Sequence, residues 1–230
     1  MNIPIISKEF EGIGNFNQIV IDQTNSLICA SSSIHQDSGF IEQIRSSIKS
    51  KFFAKGYHGF SDEYDRYFDP FSIYFYVSNK SKEIHAVQRV IHKTPQNLLP
   101  LEKALIKGSE KNKRYTIDEQ DTVEISSFLF KSARSIDLLV FSIAHYGKLN
   151  RIKKAYALLD IDSKSLEKIY GRFGWEESMK YNTPVYFPDY GKISNGRFEP
   201  TLWKVLELPE EKISKIAENI SKYQIVSLKN

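Results

Sequence analysis

Glu124 lies between Val123 and Ile125 in the run 123-VEISSFLF-130, a segment that otherwise reads as a buried strand. A carboxylate there must face a solvated cleft or pair with a cation. In a cleft, partial burial raises its pKa and makes it a general base. Paired, it is a structural partner for Arg89 or Arg45. Both readings fit the sequence. A second acidic feature is 61-SDEYDRYFDPF-71, which crowds Asp62, Glu63, Asp65 and Asp69 among aromatic rings. Such a cluster is either a solvated loop or half of an ion-pair network with Arg45 and Arg89, its spare carboxylates facing a cationic amine.

The strand containing Glu124 runs through the short loop 131-KSARS-135 into an apolar helix predicted over 135–149. Backbone N–H groups at a helix start are unsatisfied, and the dipole there is positive. With Lys131 and Arg134 adding charge, a phosphate suits this end. The alternative is an ordinary strand–helix turn capped by Ser135. The loop lacks the glycines of a P-loop or dinucleotide fold. The five histidines show no metal-ligand spacing, so no metal is expected. No GxSxG elbow is present.

These residues need a frame to hold them. Ile41, Ile44, Ile48 and Phe52 fall at helical spacing and predict a helix over 38–56 that carries Arg45. The acidic stretch follows and reads as a loop. A hairpin comes next, FSIYFYVS then EIHAVQRVIHK, with Arg89 on its second strand. Residues 104–120 are polar and read as a long surface loop. After the strand of Glu124 and its helix come a strand (155–161), a short helix ending near Gly171 and Gly174, two strands and an amphipathic helix over 209–223. Residues 1–17 read as peripheral; IVI and SLICA, after them, are β-like. The order predicts an α/β (α+β) fold: a single domain with a mixed, mostly antiparallel, twisted sheet flanked by helices.

Composition narrows the class. The chain has 230 residues, 41% hydrophobic and 26% charged, as in soluble globular proteins. A net charge of +4 is a mild bias, suited to an acidic carrier protein or a phosphate-bearing cofactor as well as to nucleic acid. The basic residues form no stripe interleaved with aromatics, which disfavours an RNA-recognition module. The single cysteine, Cys29, precludes an internal disulfide, and its LICA setting reads as an inert buried thiol. No apolar segment is long enough to span a bilayer and no signal peptide is seen, so a cytoplasmic location is expected.

The helix with Arg45 and Phe52, the acidic DEYD and Asp69, QRVI on the hairpin, LLP at 98–100 and the strand VEISSF occur in an order that resembles the acyl-homoserine-lactone (LuxI-type) autoinducer synthases and the N-acyl amino acid synthases. Both are GNAT-superfamily acyltransferases. The resemblance covers about residues 26–190, and DEYD is nearer the amino acid synthases. It implies a GNAT-like domain with its core at about 26–206 and an N-acyltransferase that moves an acyl group from acyl carrier protein or acyl-CoA to the amine of an amino acid-like acceptor. Glu124 falls on the strand-motif acid, implied to be the base. Arg45, Asp62, Asp65, Asp69 and Arg89 fall on the charged cluster, implied with Ser126 to bind substrate. Lys131, Ser132, Arg134 and Ser135 would hold the donor's phosphopantetheine phosphate. No permanently bound cofactor is implied. Ser127 stands where the autoinducer synthases carry an arginine, which separates this chain from homoserine-lactone chemistry. The rivals are a small-group acetyl-CoA N-acetyltransferase and a non-catalytic acyl or carrier-protein binder.

Overall fold

The computed structural model describes residues 16–109 and 112–228. Most of the N-terminal stretch expected to be peripheral, residues 1–15, lies outside them. Strands β1 (Gln18–Asp22) and β2 (Leu27–Ser32) precede helix α1 (Ser38–Ala54). After β3 (Tyr57–His58) come α2 (Asp62–Tyr67), β4 (Ser72–Asn79) and β5 (Ile84–His92). The next elements are α3 (Pro100–Lys103), β6 (Leu105–Ile106), β7 (Thr122–Phe130), α4 (Ala133–Leu149), β8 (Lys154–Asp160) and α5 (Lys164–Arg172). The described chain ends with β9 (Glu176–Glu177), β10 (Val185–Ser194), β11 (Arg197–Pro209), α6 (Glu210–Ala217) and β12 (Gln224–Ser227).

One mixed sheet carries all the strands, in the order β12-β1-β2-β4-β5-β7-β8-β11-β10-β3, with β6 and β9 added to β10 and β11. Its pairs are antiparallel except β7 with β8. Strand alternation sends Val123 and Ile125 of β7 to one face, where they pack with α4 residues Ile136, Leu138 and Leu139 and α6 residues Ile213 and Ile216. Glu124 is sent to the other face, where α1 packs Ile41, Ile44 and Ile48 on Tyr74, Val87 and Leu129. None of the described helices is long and apolar enough to cross a membrane.

Three local expectations are corrected. The acidic stretch is not a loop. Ser61 accepts from the Tyr64 N–H and caps α2, whose first turn holds Asp62, Glu63 and Asp65. Acids at that end are favoured by the helix dipole, which offsets their mutual repulsion. The segment 104–120 is not a wholly exposed loop either. Ala104, Leu105 and Ile117 are buried, and β6 pairs with β10. The cap of α4 is Ser132, its hydroxyl accepting from the Ser135 N–H at 3.2 Å, so the helix starts two residues earlier than its apolar pattern suggests.

Candidate active site

The acids and arginines of the sequence pattern meet under α1. Asp65 Oδ1 lies 2.6 Å from Arg89 Nη1, and Asp65 Oδ2 lies 3.3 Å from Arg45 Nε. Asp69 Oδ2 pairs with Arg45 Nη2, and its Oδ1 accepts from the Tyr74 hydroxyl at 3.1 Å. Arg89 also donates to Tyr74 Oη (3.1 Å) and to Ser126 Oγ (3.1 Å). All four charged residues are buried. Burial alone would lower the Arg89 pKa, but Tyr74, Asp65 and Asp69 hold it above the usual guanidinium value. Each oxygen of Asp65 and Asp69 already has a guanidinium or phenol partner. These acids are therefore anchors of the fold, and they offer no spare carboxylate to an amine. Asp62 stands outside the network, exposed and paired with Lys49 at 3.1 Å.

Glu124 is different. It is 1% exposed and has no ion-pair partner among the described residues. Its Oε2 accepts the Leu101 N–H at 2.8 Å. That donor is placed by α3, which Glu102 anchors: Oε2 takes the Leu99 N–H (2.8 Å) and the Lys93 ammonium (2.6 Å), and Oε1 takes the Ile117 N–H (3.0 Å). Burial pushes the Glu124 carboxyl up to about 8, against smaller lowering effects from Leu101 and Arg89. Of the two readings of Glu124, the ion-pair partner is excluded.

Glu124 lines a cavity of about 760 Å³, within the range for small-molecule sites. The sheet makes this space by parting. β7 and β8 pair only from Thr122↔Lys154 to Ile125↔Ala157. Beyond that point Ser126, Ser127 and Phe128 on one side and Leu158 and Asp160 on the other line the cavity. At the same place β7 bulges against β5: Arg89 faces Ser126 and Val87 faces Leu129, so Ser127 and Phe128 oppose Gln88 alone. Ser127 has φ +57°, a left-handed conformation unusual for a non-glycine residue. The roof comes from β10, whose pairing with β11 breaks between Tyr186 and Gly191, so that Phe187, Pro188, Asp189 and Tyr190 join the lining. Gly59 permits the close approach there. Its φ is +82°, and a Cβ would stand 1.5 Å from the Asp189 carbonyl oxygen.

The far wall is aromatic. Tyr57 stacks on Tyr190 (5.7 Å between centroids), and Tyr190 lies 5.9 Å from Trp203. Tyr57 Oη donates to Asp160, which also takes Lys192 Nζ at 2.7 Å. Two lining groups, Tyr64 Oη and Trp203 Nε1, are buried without hydrogen-bond partners.

Of the residues singled out in the sequence, Glu124, Asp65, Arg89 and Ser126 meet at this cavity, while Arg45 and Asp69 support it from behind and Asp62 stays at the surface. Lys131, Ser132, Arg134 and Ser135 do not line it. Lys131 pairs with Glu83 at 2.5 Å and Arg134 donates to Asn25 at 2.6 Å. Sequence reasoning missed Tyr64, Lys103, Asp160 and Trp203. The buried acid in LLDI, an apolar strand end, was a usable signal for Asp160, and Tyr64 lay inside the acidic stretch itself. Cys29 is buried at 0% exposure and burial pushes its thiol up to about 12, as expected of an inert thiol.

No protein-family model matches the sequence, and no curated protein matches it. Solved structures do. FeeM, an N-acyl amino acid synthase from uncultured soil microbes, matches 81% of this chain and 92% of its own, with a TM-score of 0.54 and 12% identity. TofI, in a ternary complex with an inhibitor and MTA, matches 67% of this chain and 73% of its own, with a TM-score of 0.47 and 14% identity. Spermidine N-acetyltransferase from Vibrio cholerae, in complex with CoA and spermine, matches 82% and 98%, with a TM-score of 0.49 and 12% identity. At these identities the likeness is one of fold, and with the parted β7 and β8 it shows that the chain has a GNAT-like fold, as the order of its motifs implies.

Proposed function

We propose that the protein is an N-acyltransferase that moves an acyl group from an acyl-carrier-protein or acyl-CoA thioester to the amine of an amino acid-like acceptor. The observation that carries this reading is Glu124: a buried carboxyl with no ion-pair partner among the described residues and a pKa of about 8, opening onto a large cavity where the sheet parts. An ammonium cannot attack a carbonyl. Glu124, directly or through water, takes one proton from it. The amine nitrogen then forms its bond to the thioester carbon, and the oxyanion is held by a backbone N–H that the bulge at Ser127 and Phe128 releases from the ladder. Collapse breaks the C–S bond, and the second amine proton goes to the leaving thiolate. No covalent enzyme intermediate is needed, consistent with the buried Cys29.

The size of the cavity and its aromatic wall of Tyr57, Phe187, Tyr190 and Trp203 favour a long acyl chain over acetyl. The fold of FeeM supports the same class of reaction. We place the donor phosphate at the start of α4, near Lys131, Ser132, Arg134 and Ser135. Three lysines link that point to the cavity. Lys55 lines it, and Lys51, one turn earlier on α1, is depressed by burial and then by Lys131 and Lys55. Neither Lys51 nor Lys55 has an acidic partner among the described residues. A reaction drawing on such thioesters belongs in the cytoplasm.

A donor screen from acetyl- to hexadecanoyl-thioesters, on CoA and on carrier protein, with a mixed amine library, tests the reading. Long-chain amides are expected. Transfer of acetyl alone would mean a small-group acetyltransferase, and no transfer at all would mean a binding scaffold. The phosphate placement has its own check. Lys131→Ala with Arg134→Ala should raise the donor KM about fivefold, the size of a partly exposed ion contact; an unchanged KM would put the phosphate elsewhere.

A further inference from the structure

Several charges around the cavity are already paired: Asp65 with Arg89, Asp160 with Lys192, and Lys164 with Glu167 at 3.4 Å. Lys103 is not. It lines the cavity three residues after Pro100, beside the α3 amide that Glu124 accepts. Its Nζ sits 3.2 Å from the ring centroid of Tyr67, and 5.4 Å and 5.3 Å from those of Tyr64 and Phe68. Three ring faces steady the cation there, but they do not neutralise it. Among the described residues no carboxylate lies within ion-pair distance of it. The charged side chain that acts on it is another cation: burial and then Arg114 push its ammonium down. Arg114 is exposed and likewise has no acidic partner among the described residues.

The Tyr64 hydroxyl lines the same cavity and is buried without a partner. After burial, the largest influences on its pKa are Glu124, which raises it, and Arg89, which lowers it. A buried hydroxyl left unpaired costs about 1–3 kcal/mol, which a bound acceptor atom removes. A cation and an unpaired donor thus share one wall next to the carboxyl that would take the amine's proton, and the charge of Arg114, outside the lining, acts on both.

We propose that Lys103, backed by Arg114 and joined by the Tyr64 hydroxyl, binds the carboxylate of the acceptor and thereby restricts acceptors to amines that carry a free carboxylate. This rests on the acyl-transfer reading and deepens it. Lys103 supplies the charge, the flat ring shelf keeps it from swinging into solvent, and Tyr64 supplies a directed hydrogen bond. The acceptor's amine is then turned toward Glu124. An amide or a decarboxylated amine lacks the anion and leaves Lys103 and Tyr64 unmatched, the kind of mismatch that rejects an analogue strongly.

The test follows binding and turnover separately. Full-length protein is titrated with a panel of free L-amino acids, their carboxamides and the corresponding decarboxylated amines, with ligand-observed NMR reading affinity. The same panel is offered with dodecanoyl-CoA and dodecanoyl carrier protein, and amide formation is read by mass spectrometry. At least one amino acid should bind about tenfold more tightly than its carboxamide, a difference of about 1.4 kcal/mol. Lys103→Met should erase that preference by weakening the acid alone, leaving donor KM unchanged, and Lys103→Arg should restore most of it. Arg114→Gln, a surface change that leaves the fold intact, should reduce the preference severalfold. Equal binding of acids and amides by the wild type would overturn the pocket. So would a preference that survives Lys103→Met, or a Lys103→Met defect confined to donor KM. Carboxylate-dependent binding without acylation of any panel member would keep the pocket and sink the acyltransferase reading. Acylation of amides and acids alike would do the reverse.

Discussion

Glu124→Gln should lower kcat by at least tenfold, and by up to about 10⁴-fold if proton removal limits the rate, the range general bases supply. Gln keeps the shape and can still accept the Leu101 N–H. What it loses is the ability to take a proton. The wild type should show kcat/KM rising about tenfold per pH unit below pH 8 and levelling above it, because the base form of Glu124 dominates only above its pKa of about 8. Stability should move the opposite way. The carboxyl is held above its ordinary value of 4.5 in the folded chain. Below that pH both states are protonated and the residue costs nothing. Between pH 4.5 and 8 the unfolded chain releases its proton while the folded chain retains it, so the native state loses stability progressively; above pH 8 the penalty is constant. The Gln variant should therefore be more stable than wild type at pH 8, on the order of 2 kcal/mol after the burial of its amide is counted, and less stable than wild type below pH 4.5, where only the cost of the buried amide remains. Denaturant unfolding at pH 4 and pH 8, alongside steady-state rates, checks both halves. A variant that is less active and also less stable at pH 8 would make Glu124 structural.

Arg89→Ala should cost about 3–5 kcal/mol of stability, the usual consequence of removing one partner from a buried ion pair. Asp65 would keep only the 3.3 Å contact with Arg45, and Ser126 and Tyr74 would lose their donor in the middle of the sheet. Against a total of about 5–15 kcal/mol for a typical domain, that is enough to bring much of the population near unfolding at 37 °C. The matched control is Asp62→Asn. It removes an exposed ion pair to Lys49 and should change stability by less than about 1 kcal/mol. Urea titration of the two variants side by side decides it. If Asp62→Asn proved the more damaging, the assignment of the buried network as the anchor of this face would be wrong.

The contrast between Asp62 and Asp65 marks how far the sequence could be read. Both belong to one acidic stretch with the same chemistry. Only the distances to Arg45 and Arg89, which arrive from α1 and β5, make one an anchor and the other a surface charge. The stretch reads as a loop in the sequence, although Ser61 and the acids behind it carry the signal of a capped helix start. The dipole and the two arginines outweigh the acids' mutual repulsion in the fold. Lys131 and Arg134 were legible as cations at a helix start. That Glu83 and Asn25 engage them was not, because those partners come from distant turns.

The strands and long helices, and the placing of Glu124 among core residues, follow from local periodicity, since side chains alternate along a strand and recur every third or fourth residue on a helix. Local pattern therefore determined which face of the sheet Glu124 occupies. Tertiary structure alone decided that no cation among the described residues would pair with it there, because ion pairing depends on where other elements end. It also decided the cavity, which arises where β7 and β8 cease to pair after Ile125 and Ala157. A ladder's end is a relation between two strands, and neither strand encodes it by itself.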